Sequence, residues 1–322
     1  MLTEVIVVLA GVILILLLAE VIIKNAIKLA GHFGLSGTFI GLTILSIGTS
    51  IPEIMTHIVG SVDIVRDPSQ MQTLSGLLLG TSVGSDIFQQ NIILGVLGLI
   101  ATVVVVKKNL FKEAGALIVA AILTWLFAIG GVITRWEGAI MFILYIAYLF
   151  YLDRTKKIEK KNKDGLTNFG IGTSFFLIFI CFLIMALSAE KVLAASTVLV
   201  STLPISASFF GVFILGIASA LPELTTSLIA ALKHKKDISA GILLGSNITN
   251  PMMGIGIGAM ISTYTVPNVL VYLDLPVKIF TGFLIFYFLH KDEDINKKKG
   301  IILICIFILY LIARRFLFPV DF

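Results

Sequence analysis

Charge is scarce in this chain. Asp, Glu, Lys and Arg make up 13% of its 322 residues against 58% hydrophobic ones, and the mean hydropathy is +1.06. Too little polar residue is available to cover a soluble core of this size, which excludes a water-soluble domain and leaves an integral membrane protein. Cysteine is almost missing. Cys181 and Cys305 both lie in apolar runs, where they read as small core residues and say nothing of the redox compartment. His-Glu-x-x-His does not occur, so an intramembrane hydrolase lacks this metal motif, and the chain is read as no enzyme. A basic stripe is absent too: the residues behind the net charge of +5 cluster at helix ends, which argues for membrane orientation and against nucleic acid as a partner. No cleavable signal peptide is expected, because the first apolar run, Val5 to Leu18, continues without a small-residue cleavage site.

Against this background one stretch stands out. Gly41 to Gly60, GLTILSIGTSIPEIMTHIVG, puts a carboxylate, Glu53, in a segment apolar enough to lie in lipid. A charge at that depth costs at least ~2.5 kcal/mol, so it faces a cavity or a partner and marks an ion or substrate path. At helical spacing Ser46, Thr49, Ser50, Glu53, Thr56 and His57 fall on one stripe. Pro52 lacks an N–H, so the carbonyl of Gly48 loses its helical partner and is free to face a cation. His57 reads either as a proton acceptor or as a hydrogen-bonded residue near the helix end.

The construction recurs. Gly211 to Ala230 reads GVFILGIASALPELTTSLIA, with Pro222 and Glu223 in the places of Pro52 and Glu53. Upstream, Ala19-Glu20 matches Ala189-Glu190, Ser36 matches Ser206 and Phe39 matches Phe209. The chain is therefore an internal duplication. At ~20 residues per span, the pattern predicts an all-α integral membrane fold of ten transmembrane helices, over 3 to 27, 37 to 62, 73 to 104, 112 to 133, 136 to 152, 168 to 195, 207 to 232, 238 to 263, 268 to 289 and 300 to 317. Five spans per copy is an odd number, so the copies enter the membrane upside down relative to each other, with a site near the midplane between them. The division is 1–152 and 168–322 as two inverted five-helix repeats, with 153–167 as a basic cytoplasmic linker. Most Lys and Arg fall after odd-numbered spans, which makes those loops cytoplasmic and both termini external, in a multi-pass protein of the cell membrane. Arg66, Arg135, Lys191, Lys278, Arg314 and Arg315 fall near the other side.

A second pair of matches completes the candidate site. Gly80 to Gln89, GTSVGSDIFQ, pairs with Gly241 to Asn250, GILLGSNITN. Ser85 with Gln89, and Ser246 with Asn250, are each four apart and so put two neutral oxygens on one helix face, while Gly80 and Gly84 suit close helix packing. Two carboxylates with hydroxyl, amide and carbonyl oxygens suit hard cations such as calcium and sodium. Two ionised glutamates match one divalent or two monovalent cations, and competition for one such site is a physical basis for exchange. Glu20 and Glu190, beside Lys24 and Lys191, read as structural pairs or vestibule groups. A passive channel is the remaining class, separable by whether flux saturates and requires a counter-ion.

These motifs, GTSIPE, ALPEL and two Gly-Ser-Asx-Ile segments, resemble the alpha repeats of the cation/calcium antiporter superfamily and look most like the prokaryotic sodium/calcium exchangers. The resemblance runs from Ala19 to Ile100 and from Ala189 to Met260. It implies a secondary antiporter exchanging Ca2+ for Na+ by alternating access, with calcium held by Glu53 and Glu223 and the backbone oxygens at Thr49 and Ser219. Sodium sites would add Ser50, Ser85, Gln89, Ser246 and Asn250, with Asp86 and His57 as accessory candidates. No cofactor is implied beyond the transported ions, the partners are the lipid bilayer and small cations, and a monomer could suffice. The chain departs from the family at Ala220, which lacks a hydroxyl, at Gln89 and Asn250, and at Asp86, a carboxylate where an amide is common. With fewer neutral ligands, exchange of Ca2+ or another divalent cation for H+ is the alternative.

Overall fold

The computed structural model describes residues 1–32, 46–100, 103–104, 107–155, 168–232, 236–318 and 321. Almost all of them are helical, as lipid requires of a backbone that must satisfy its own hydrogen bonds. Among the described residues seven stretches are long and apolar enough to cross a membrane: Leu2–Asn25, Pro68–Ile100, Arg135–Leu152, Gly170–Thr202, Ala207–Ile229, Leu270–Asp292 and Lys297–Leu317. The other three spans expected, 37 to 62, 112 to 133 and 238 to 263, fall on helices that are interrupted or that border undescribed residues. Gly41, Ile44, Leu45, Ser36 and Phe39 lie outside the described residues, as does the hydrophilic stretch from 156 to 167. The first residues of the expected linker, 153 to 155, instead continue the helix Arg135–Thr155.

Both proline-glutamate segments break in the same way. Ser46–Thr49 is a single helical turn, Ser50 interrupts it at φ −82° and ψ 0°, and Ile51–Arg66 follows with Pro52 in its first turn. In the second copy Gly216–Ser219 is followed by Ala220 at φ −79° and ψ −1° and then by Leu221–Leu232. Proline cannot donate to the preceding turn, which explains why the break falls just ahead of it. Each glutamate thus sits in the first turn of a new helix, where the positive end of the helix dipole favours a carboxylate. The second motif also repeats its irregularity, since a wide π-helical turn starts at Gln89 in one copy and at Asn250 in the other. Such turns occur often at functional sites.

The helical stretch Pro68–Ile100 is the centre of the molecule, with 72% of its apolar segment buried against 17% for Gly170–Thr202. It lies backbone to backbone on the helix around Gly211. A Cβ on Gly84 would fall 2.5 Å from Val212 Cα, and one on Gly211 would fall 2.5 Å from Leu77 O. Only glycine permits that approach. Leu2–His32 and Asn168–Thr202 pack on each other outside this centre and expose large side chains, among them Ile13, Leu17, Phe176 and Leu187. On a membrane protein such a surface faces lipid. Cys305 is also exposed, so unlike buried Cys181 it belongs to this outer surface and not to the core.

Among the described residues two short antiparallel strand pairs tie the loops. Val103–Val104 (β1) pairs with Asp294–Ile295 (β4), and Val132–Ile133 (β2) pairs with Tyr264–Thr265 (β3). Between Ile64 and the first of these strands, Asp67 caps a turn and accepts hydrogen bonds from Ser69 and Gln70, which hold its carboxyl below the usual range.

Two of the six basic residues expected near the other side are buried inside the protein. Arg66, Arg135, Lys191 and Arg315 are exposed, but Lys278 and Arg314 are buried. Arg314 pairs with Asp274 at 2.8 Å and donates to Ser208, whose hydroxyl bonds Asp321. These contacts lock three helices and the Asp321 segment together. Both cations found carboxylates inside the protein, which is the way a charge at membrane depth becomes tolerable.

Candidate cation site

The candidate residues sit where the two interrupted helices meet the paired Gly-Ser segments. Thr49, Ser50, Glu53, Ser85, Gln89, Glu223, Ser246 and Asn250 have no exposed surface and Ser219 is 9% exposed. The arrangement is crosswise. The Ser219 hydroxyl lies beside Glu53 and the Thr49 hydroxyl beside Glu223, and the two carboxylates are within electrostatic reach of each other and of Asp86. Thr49 donates its own proton to Ser46 O and Ser219 to Gly216 O, so both turn lone pairs outward.

A hydrogen-bond chain crosses from one copy to the other. Ser85 donates to Glu53 Oε1 at 2.9 Å, Gln89 Nε2 donates to Ser85 at 3.1 Å, and Gln89 Oε1 accepts from Ser246 at 2.6 Å and Asn247 at 3.1 Å. What the chain leaves open is informative. Glu53 Oε2, both carboxylate oxygens of Glu223, Ser50 Oγ and Asn250 Oδ1 are buried and have no hydrogen-bond partner. Buried carboxylates ordinarily are paired, and leaving one bare is costly. Among the described residues no group of three or more His, Cys, Asp and Glu could hold a metal, so the donor set here is two glutamates plus neutral oxygens.

The accessory candidates are engaged elsewhere. Asp86 accepts from Asn250 Nδ2 at 2.8 Å and forms an ion pair with Lys278 at 2.5 Å, so each of its oxygens already has a donor. His57 shares a hydrogen bond with the Tyr264 hydroxyl at 2.9 Å, Ser61 bonds the same hydroxyl at 2.6 Å, and the His57 ring lies against Gly254. Glu20 forms an exposed pair with Lys24, whereas Glu190 lines a cleft of about 370 Å³ with Asp63 and Arg66. A smaller cavity, about 30 Å³, reaches Ser219, Pro52, Thr56 and Thr81. Four participants escaped sequence reasoning: Lys278, Asn247, Gln90 and Thr281. Gln90 donates to Asn247 at 2.8 Å and accepts from Thr281, which lies one turn beyond Lys278. The Ser-Asx and Gln-Gln-Asn runs were the available signal for two of them.

A multi-pass helical membrane protein with sealed, donor-free oxygens at the junction of two broken helices is a secondary transporter of cations, not an enzyme. The sodium/calcium exchanger family model matches residues 3–152 and 173–316, and the chain belongs to that family. It is 24% identical to the sodium/calcium exchanger MaX1 of Methanosarcina acetivorans over 92% of this chain and 93% of that protein. It is 26% identical to the inner membrane protein YrbG of Escherichia coli over 78% of each. Solved structures of the sodium-calcium exchanger NCX_Mj resemble it across 98% of both chains, with a TM-score of 0.67 at 26% identity.

Proposed function

We propose that the chain exchanges Ca2+ for Na+ across the cell membrane by alternating access, as ten helices in two inverted five-helix repeats. The repeats are 1–152 and 168–322, the linker 153–167 is cytoplasmic and both termini are external. The strand pairs support this topology. With ten spans, β1 follows the third and β4 the ninth, while β2 follows the fourth and β3 the eighth, so each pair joins loops of one membrane face. Moreover β1 and β3 occupy corresponding places in the two copies, 161 positions apart like Ser85 and Ser246.

One observation carries the functional reading: five buried acceptor atoms, three of them glutamate oxygens, have no donor. A cation supplies the missing partner. Glu53 and Glu223 would share Ca2+, with Thr49 and Ser219 completing an oxygen shell of the kind calcium takes. Na+ would compete through Ser50, Ser85, Ser246 and Asn250. Either load neutralises the two glutamates, whereas the empty pair repels itself and resists crossing the midplane. No resident cofactor is needed and one chain contains the whole site.

Proton coupling is favoured by one specific feature. Gln89 already spends its oxygen on Ser246 and Asn247, and Ala220 has no hydroxyl, so the neutral ligands left for sodium are few. Calcium uptake into proteoliposomes under an imposed Na+ gradient, compared with an imposed pH gradient, tests the assignment. Uptake driven by the Na+ gradient is the expected result; uptake driven by the pH gradient alone replaces Na+ with H+, and none under either rejects exchange.

A further inference from the structure

Inside the site neighbourhood lies a charge that the exchange reading does not use. Lys278 and Asp86 are both fully buried and their charged atoms are 2.5 Å apart. The pair is not peripheral. Asp86 holds Asn250 and is within electrostatic reach of both glutamates. Lys278 reaches it from the helix Leu275–Asp292, and Thr281 on the same face bonds Gln90.

The duplication makes the pair unusual. Asp86 corresponds to Asn247 in the second copy, a neutral amide bonded to Gln89 and Gln90. The stretch of the first copy corresponding to Lys278, Ala114 to Ile118, contains no ionisable residue. The extra carboxylate and the extra ammonium therefore occur once each, and they occur against each other. Glu53, Glu223 and Asp86 amount to three negative charges, and Lys278 returns the group to two.

We propose that the Lys278 ammonium is a tethered resident cation that fills a monovalent-cation position on Asp86, so that one Ca2+ exchanges for two monovalent cations without net charge movement. This rests on the antiport reading above but not on which monovalent ion is coupled. A lysine cannot leave its helix. Its charge therefore stays with the protein in both half-cycles, where a free ion on Asp86 would be carried and would make exchange electrogenic.

The test is the steady 45Ca2+ distribution across proteoliposomes at fixed coupling-ion gradients, with the membrane potential clamped by valinomycin and potassium. The parent protein gives a distribution independent of potential. Lys278→Met opens Asp86 to a third mobile monovalent cation, and the distribution then shifts about 50-fold per 100 mV, one elementary charge being worth ~2.3 kcal/mol per 100 mV. Asp86→Asn with Lys278→Met removes both charges and returns the protein to independence from potential, which a helix-stapling role alone does not explain. A potential-dependent parent overturns the proposal, as does a Lys278→Met protein that exchanges calcium with no response to potential. Should Lys278→Met fail to fold, the parent measurement still decides. Should the parent move no calcium, the antiport reading fails separately, and equilibrium 22Na+ binding takes over: one more ion bound by Lys278→Met than by the parent supports the resident cation, and equal counts refute it.

Discussion

Gly84→Ala tests how the fold sets the site. The new Cβ would sit 2.5 Å from Val212 Cα and 2.6 Å from Val212 O, where ordinary contact begins near 3.4 Å. Both neighbours are backbone atoms, so the two helices must separate by about 1 Å, at a cost of ~1–3 kcal/mol typical of overpacking. Ser85 is the next residue. Its 2.9 Å bond to Glu53 would stretch past hydrogen-bonding distance. Loss of a hydrogen bond to a charged group is worth ~1.5–3 kcal/mol, and thus weakens calcium binding roughly 10- to 100-fold. The half-saturating Ca2+ concentration for uptake into proteoliposomes measures the second effect, and thermal unfolding in detergent the first. Gly115→Ala is the control, because nothing lies within 4 Å of its Cβ, and there alanine stabilises the helix by up to ~1 kcal/mol. If the two variants behave alike in both assays, the glycine contact does not position Ser85.

Tyr264→Phe leaves His57 Nδ1 and Ser61 Oγ without their shared partner, and thermal unfolding should show a loss of ~1–3 kcal/mol. Its coupling-ion preference in flux assays should stay parental, because His57 Nδ1 faces residue 264 and not the two glutamates. Arg314→Met strands buried Asp274 and should cost ~3–5 kcal/mol, most of it recovered when Asp274→Leu is added, as read from unfolding of the single and double variants. Ala220→Ser adds a hydroxyl beside the glutamates, so Na+ should inhibit Ca2+ uptake at lower concentration than in the parent.

The outline of the molecule was legible because its signals are local. Proline ahead of glutamate marked both helix breaks, glycine spacing marked the helix contact, and the matched Gly-Ser-Asx-Ile segments located both π-helical turns without announcing them. The interruption falls at Ser50, whose N–H bonds Ser46 O and whose carbonyl accepts from Ile54 N–H, two residues beyond Gly48. The burial of Lys278 and Arg314 was not legible, for a physical reason. Each lies toward one end of an apolar run, where a lone cation normally marks the membrane surface, while their carboxylates, Asp86 and Asp274, are 192 and 40 residues away. Gln89 was legible as a site residue, but its oxygen being committed to Ser246 and Asn247 depends on how the copies dock, which no single segment records.

Equilibrium 45Ca2+ binding to the purified chain, alongside Glu53→Gln and Glu223→Gln, tests the shared-glutamate site most directly. The account predicts one calcium per chain in the parent, displaced by the coupling cation, and affinity about tenfold weaker or worse in either variant, a loss of ~1.4 kcal/mol or more. Parental affinity in either folded variant contradicts it.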